Sequence, residues 1–220
     1  MAPNKKRGFS LLELMIVVAI SLTLAAIIDV SLQPALRQMH VDQAYSTTLN
    51  SLRRAHDQAV ADMRIYVVTF TGPTVVAPIV GGTITVQQNV GAPGVFPPTL
   101  GPNLFQVTLP ADVTFHVEPG VPTSPVTVPT TPDGFGGAAF PNGFDFNWGP
   151  AGSAGGGTTI FFYPDGTAQD GNGNINNGVV YMGIPGQLPT CRAVTLWGFT
   201  SRIRGWQLYK SGGAWTWSQK

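Results

Sequence analysis

An apolar run over residues 9–28 carries a single charge, Glu13, and follows directly on Lys5-Lys6-Arg7-Gly8. As a helix rising 1.5 Å per residue it is long enough to cross a hydrocarbon core of about 30 Å. A carboxylate inside such a span costs about 2.5–3.5 kcal/mol on insertion scales. A charge held there at that cost needs a partner outside the lipid. Two ordinary readings account for less of the pattern. A secretory signal with a cut near Ala25-Ala26 leaves an acid in its apolar region unexplained. A plain anchor, oriented by Lys5, Lys6 and Arg7, explains the length but not the order Gly-Phe-Ser-Leu-Leu-Glu.

Gly8-Phe9-Ser10-Leu11-Leu12-Glu13-Leu14 behind a basic leader resembles the class III signal of type IV prepilins and pseudopilins. The resemblance implies cleavage by a prepilin peptidase between Gly8 and Phe9 and N-methylation of Phe9. It also implies that Glu13, fifth in the mature chain, pairs with the Phe9 amine of a neighbouring subunit. Residues 1–8 are then a leader, and 9–28 first a transmembrane segment and later filament core. The expected location is the bacterial inner membrane, with one span and a periplasmic C-terminal domain, and after assembly the filament itself.

The helical pattern continues past residue 28. Met39, Tyr45, Leu49, Leu52, Ala59 and Met63 recur at steps near 3.6, an amphipathic stripe fit to lie on a sheet. Residues 29–64 therefore read as the second half of one helix ending near Arg64. Pro34 is expected to kink or locally melt it. From residue 65 the period becomes strand-like, and 65–220 reads as a β-rich globular domain. Candidate strands are 65–70, 83–88, 104–109, 113–117, 144–148, 159–163, 179–182, 192–199 and 202–209, rich in Val, Ile, Thr and aromatics. Turn chemistry separates them, as at Pro164-Asp165-Gly166 and Asn176-Asn177-Gly178. The fold class is α+β: a long N-terminal α-helix packed on an antiparallel sheet, the pilin-like arrangement.

Within the C-terminal half, Phe161-Phe162-Tyr163-Pro164-Asp165-Gly166-Thr167 precedes Gly178-Val179-Val180-Tyr181-Met182 and, later, Arg202-Ile203-Arg204. This order resembles the GspH/FimT family of minor pseudopilins and pilins, whose domain ends near a G-R-V-R strand. Here Ser201 stands where that pattern has glycine, and Ile203 replaces valine. The resemblance implies a minor subunit of a type II secretion pseudopilus or of a type IV pilus. Its partners are other pilins and an inner-membrane assembly platform. A FimT-like DNA-binding minor pilin is the alternative.

Charge bears on that alternative. The chain has 12 Lys and Arg against 11 Asp and Glu. Loss of residues 1–8 leaves nine basic against eleven acidic side chains, yet no acid follows Asp170. Arg192, Arg202, Arg204 and Lys210 lie among Trp197, Phe199, Trp206 and Tyr209. Such a basic, aromatic strand can follow a nucleic-acid backbone and stack bases. Against this, strand aromatics usually pack in cores, and the arginines then face solvent.

Asp170, Asn172 and Asn174 place oxygens at alternate positions, as calcium loops do. Ile175 and Tyr181 stand where an EF-hand-type loop has glycine and a bidentate acid, and Asn-Gly runs also make hairpins without metal. No other cofactor is expected. His40, His56 and His116 show no ligand spacing, and no nucleophile motif, phosphate loop or dinucleotide fingerprint is present. The chain reads as a non-enzyme. With a single cysteine, Cys191, no internal disulfide forms.

Overall fold

The computed structural model describes residues 11–72, 81–91, 99–122, 132–135, 143–148 and 157–220; within its helix the side chains of 27–31 are not described. Helix α1 runs Leu11–Asp62, with Pro34 inside it. The expected local melting at Pro34 does not occur. Two compact units divide between Gln38 and Met39.

In the second unit α1 buries Val41, Ala44, Tyr45, Thr48, Leu49, Leu52, Ala55 and Ala59. The middle of the expected stripe is therefore correct and its two ends are not. Met39 is 65% exposed and Met63 73%. Met63 lies beyond the helix with φ 53°, and the Arg64 N–H donates to the Ala59 carbonyl at 3.2 Å. A left-handed residue followed by this six-to-one hydrogen bond is a Schellman stop, here made without glycine. The contact face also includes the small or hydroxylic residues Ala44, Thr48, Ser51, Ala55 and Ala59, which let the backbone approach the strands closely.

The strands are β1 (Tyr66–Thr71), β2 (Thr83–Asn89), β3 (Leu100–Thr108), β4 (Thr114–Phe115), β5 (Phe144–Trp148), β6 (Thr159–Phe162), β7 (Ala168–Gln169), β8 (Asn177–Gly183), β9 (Arg192–Trp197), β10 (Arg202–Ser211) and β11 (Ala214–Gln219). They form two antiparallel sheets rather than one. A five-stranded sheet has the order β3-β2-β1-β6-β7; a six-stranded sheet has the order β11-β10-β9-β8-β4, with β5 also on β8. The architecture is α+β, a long N-terminal helix with antiparallel sheets, as in pilins.

One core joins the α1 face to both sheets. Tyr66, Val68, Phe70, Ile84 and Ile160 come from the first sheet, and Val180, Met182, Val194 and Leu196 from the second. Phe70 anchors it, stacked on Phe146 at 5.2 Å between ring centroids and edge-on to Phe115 at 5.6 Å. Offset and edge-to-face pairs of this kind add about 0.5–1.5 kcal/mol beyond their burial. Alternate residues of the six-stranded sheet point to its other face, where Val179, Tyr181, Ala193, Leu208 and Trp217 form a second apolar layer with Val121 and Phe135.

Candidate functional site

Gly8 and Phe9 lie outside the described residues. Glu13 is in the first turn of α1, exposed, with no ion pair or hydrogen bond among the described residues. A carboxylate is favoured at that end of the helix, where free N–H groups carry partial positive charge. Side chains 11–26 are all exposed, among them Leu11, Leu12, Leu14, Met15 and Ile16 at 51–78%. Contiguous display of so many large apolar residues is unusual for a surface left in water. Among the described residues no helix is long and apolar enough to cross a membrane; residues 9, 10, 27 and 28 of the expected span fall outside the side chains described.

Two of the four residues of the basic strand have acid partners within the fold. Arg192, in β9, has a side chain only 1% exposed. Its Nε and Nη2 donate to Asp42 Oδ1 of α1 at 3.3 and 3.2 Å. Its Nη1 donates to the carbonyls of Pro189, Thr190 and Cys191 at 3.4, 3.3 and 3.1 Å. A guanidinium so buried does not reach solvent to meet a phosphate. The role is structural: a guanidinium tying α1 to β9 while capping the chain just before the strand. Lys220 Nζ reaches the same Asp42 oxygen at 3.3 Å and lies 5.4 Å from the Tyr45 ring centroid.

Arg204 is likewise engaged. Its Nη1 donates to Asp133 Oδ1 at 2.8 Å, and Asp133 is 5% exposed. The second Asp133 oxygen accepts from the Thr195 hydroxyl, which in turn accepts from the Trp206 indole at 3.0 Å. That leaves Arg202, stacked over Trp197 at 5.4 Å, and Lys210, both exposed on β10. They stand eight residues apart, about 26 Å along a strand. Two cations so spaced are not a continuous track for a backbone. Sequence reasoning missed Asp42 and Asp133, the acids that take up the arginines. Asp42 lies on the predicted helix, whereas Asp133 lies in a short 3-10 turn, Pro132–Gly134, that no sequence signal marked.

The Asp170 loop turns on itself. Asp170 Oδ1 accepts the N–H groups of Asn172 and Asn174 at 2.8 and 2.9 Å, and Oδ2 accepts from the Asn174 amide at 3.3 Å. The carboxylate is occupied by local donors, the ordinary work of an Asx turn. Among the described residues no group of three His, Cys, Asp or Glu is placed to hold a metal ion. Each histidine meets one acid: His40 with Asp112 at 2.9 Å, His56 with Asp57 at 3.1 Å, His116 with Glu118 at 2.7 Å. Cys191 is buried, and burial, with Glu118 adding to it and Arg192 opposing, pushes its thiol up to about 12. A thiol so raised stays protonated and unreactive at neutral pH.

Two glycine-related positions shape the C-terminal ladder. A Cβ on Gly205 would stand 1.6 Å from the Tyr45 hydroxyl, so glycine permits the contact of α1 with β10. Ser201 sits in the β9–β10 turn at φ 47°, a left-handed conformation suited to glycine.

Residues 3–28 match the family of the prokaryotic N-terminal methylation motif. No curated protein and no solved structure matches the chain. The matched motif is typical of type IV prepilin-like proteins, membrane-anchored as precursors. It implies processing by a prepilin peptidase and assembly with other pilins.

Proposed function

We propose that the protein is a minor pseudopilin or pilin, a structural subunit of a filament that supports protein secretion. One observation carries the reading: the methylation motif at residues 3–28 takes in the start of a helix whose apolar side chains 11–26 are exposed among the described residues. Cleavage after Gly8 frees the Phe9 amine, which is methylated and meets Glu13 of a neighbouring subunit. In a packed, low-dielectric core an unpaired carboxylate is heavily penalised, whereas a paired one fixes register. Burial of the exposed helices against one another supplies cohesion at about 25 cal/mol per Å² of apolar area. The chain acts by assembly and not by catalysis. Membership of the GspH/FimT type is supported by Ser201: the position where that pattern has glycine is left-handed here.

The test is the mature N-terminus. The chain co-expressed with a prepilin peptidase should lose residues 1–8 and gain one methyl group on Phe9, read by intact mass and N-terminal peptides. Gly8→Leu should retain the leader. Normal cleavage of Gly8→Leu, or a cut near Ala25-Ala26, refutes the proposal.

A further inference from the structure

We infer that β11 is a strand-pairing edge for a second copy of this chain. In the β10–β11 ladder Lys220 N–H donates to the Gly205 carbonyl at 2.9 Å, and the register runs from Trp206 opposite Gln219 to Ser211 opposite Ala214. By the alternation of an antiparallel pair, Ala214, Thr216 and Ser218 turn their backbone groups to β10. Trp215, Trp217 and Gln219 turn theirs off the sheet, where no backbone hydrogen bond meets them among the described residues. Proteins guard such edges with charges, proline, bulges or brevity. The other outer strands carry a guard: β3 has Pro102 and two register shifts, β5 has a shift, and β4 and β7 are two residues long. Ala-Trp-Thr-Trp-Ser-Gln has none of these, and Ala214, Ser218 and Gln219 are exposed.

The sequence of β11 is self-complementary. With a two-fold axis at Thr216, Trp215 of each copy lies opposite Trp217 of the other, and Ala214 opposite Ser218. The aromatic layer of Leu208 and Trp217 then continues across the junction as cross-strand aromatic pairs. Lys220, held at Asp42, falls opposite Gly212, so no like charges meet. Centring on Trp217 also satisfies the hydrogen bonding but yields one Trp–Trp pair instead of two. The contact offers six residues a side, against about 20–30 for a stable free dimer. It therefore forms where copies are crowded, in a membrane or a filament, and to that extent rests on the assembly reading.

In this register the two Thr216 residues form a non-hydrogen-bonded pair, about 4.5 Å between Cα atoms and within disulfide reach. The test is full-length Thr216→Cys in membranes, treated with a mild oxidant and run on a non-reducing gel; buried Cys191 stays silent. A disulfide dimer is expected for Thr216→Cys. It should be absent for Ser218→Cys, whose counterpart is Ala214, and lost when Ala214→Lys and Ser218→Lys are added to Thr216→Cys. A monomeric Thr216→Cys chain overturns the inference either way: maleimide labelling of the thiol shows an edge open but unpaired, and failure to label shows an edge already covered. An adduct of another mass, or a dimer that persists with both lysines, also overturns it. Retention of the leader, visible on the same gel as a size difference, reports separately on the assembly reading.

Discussion

Ser201→Gly should stabilise the β-rich unit. Ser201 is 6% exposed at φ 47°, and its hydroxyl oxygen is buried without a hydrogen-bond partner among the described residues. A side chain held left-handed costs about 1–2 kcal/mol, because Cβ crowds the following carbonyl. An unsatisfied buried hydroxyl costs about a further 1–3 kcal/mol. Against these gains, glycine loses more backbone freedom on folding, about 0.5–1 kcal/mol. The net expectation is a gain of about 1–4.5 kcal/mol, or about 2–18 °C in Tm for a unit of this size. Ser201→Ala separates the two causes, since it removes the hydroxyl and keeps the Cβ. Glycine should exceed alanine by about 1 kcal/mol, the backbone part alone. The assay is urea unfolding of the fragment from Met39 onward, followed by tryptophan fluorescence, with the slope unchanged among the three proteins. If Ser201→Gly is no more stable than Ser201→Ala, the turn is not strained and the reasoning fails.

Two further substitutions probe how α1 is held. Gly205→Ala puts a carbon 1.6 Å from the Tyr45 hydroxyl and 2.5 Å from Cζ, where contact needs about 3.5 Å, so the ring must retreat by about 2 Å; it should cost about 1–3 kcal/mol in the same unfolding assay, and a Tyr45→Ala background should absorb most of that loss. Asp42→Ala leaves the buried Arg192 guanidinium with carbonyls alone and should cost about 2–3 kcal/mol, below the usual 3–5 because Asp42 is 40% exposed; Asp42→Leu with Arg192→Met should cost less than either single change, and strict additivity would show that the pair is not coupled.

What the sequence disclosed and what it hid divide along range. The helix and most strands were legible because their periods are local, and Phe144–Trp148 was placed residue for residue. The helix stop was misplaced because Met63 does by tertiary constraint what glycine does by nature. β11 was overlooked although Gly212 and Gly213, at φ 57° and 89°, make a hairpin turn ahead of alternating tryptophans. The division into two sheets was not legible, since it depends on which strands pair and not on where strands occur. The basic strand shows why a candidate site is harder to read than an element. Residues 171–220 hold five cations and no acid. That excess looks like a binding surface only while the chain is read in order. In the folded unit Asp42 comes back to Arg192 and Lys220 from 150 and 178 residues away, and Asp133 to Arg204 from 71. A charge imbalance within a segment therefore predicts where partners are needed, and the fold decides whether its own acids or another molecule provides them. For Arg192 and Arg204 the fold provides them. Glu13, exposed on a helix, has no cation near it among the described residues, and the assembly reading gives it the amine of a neighbouring subunit.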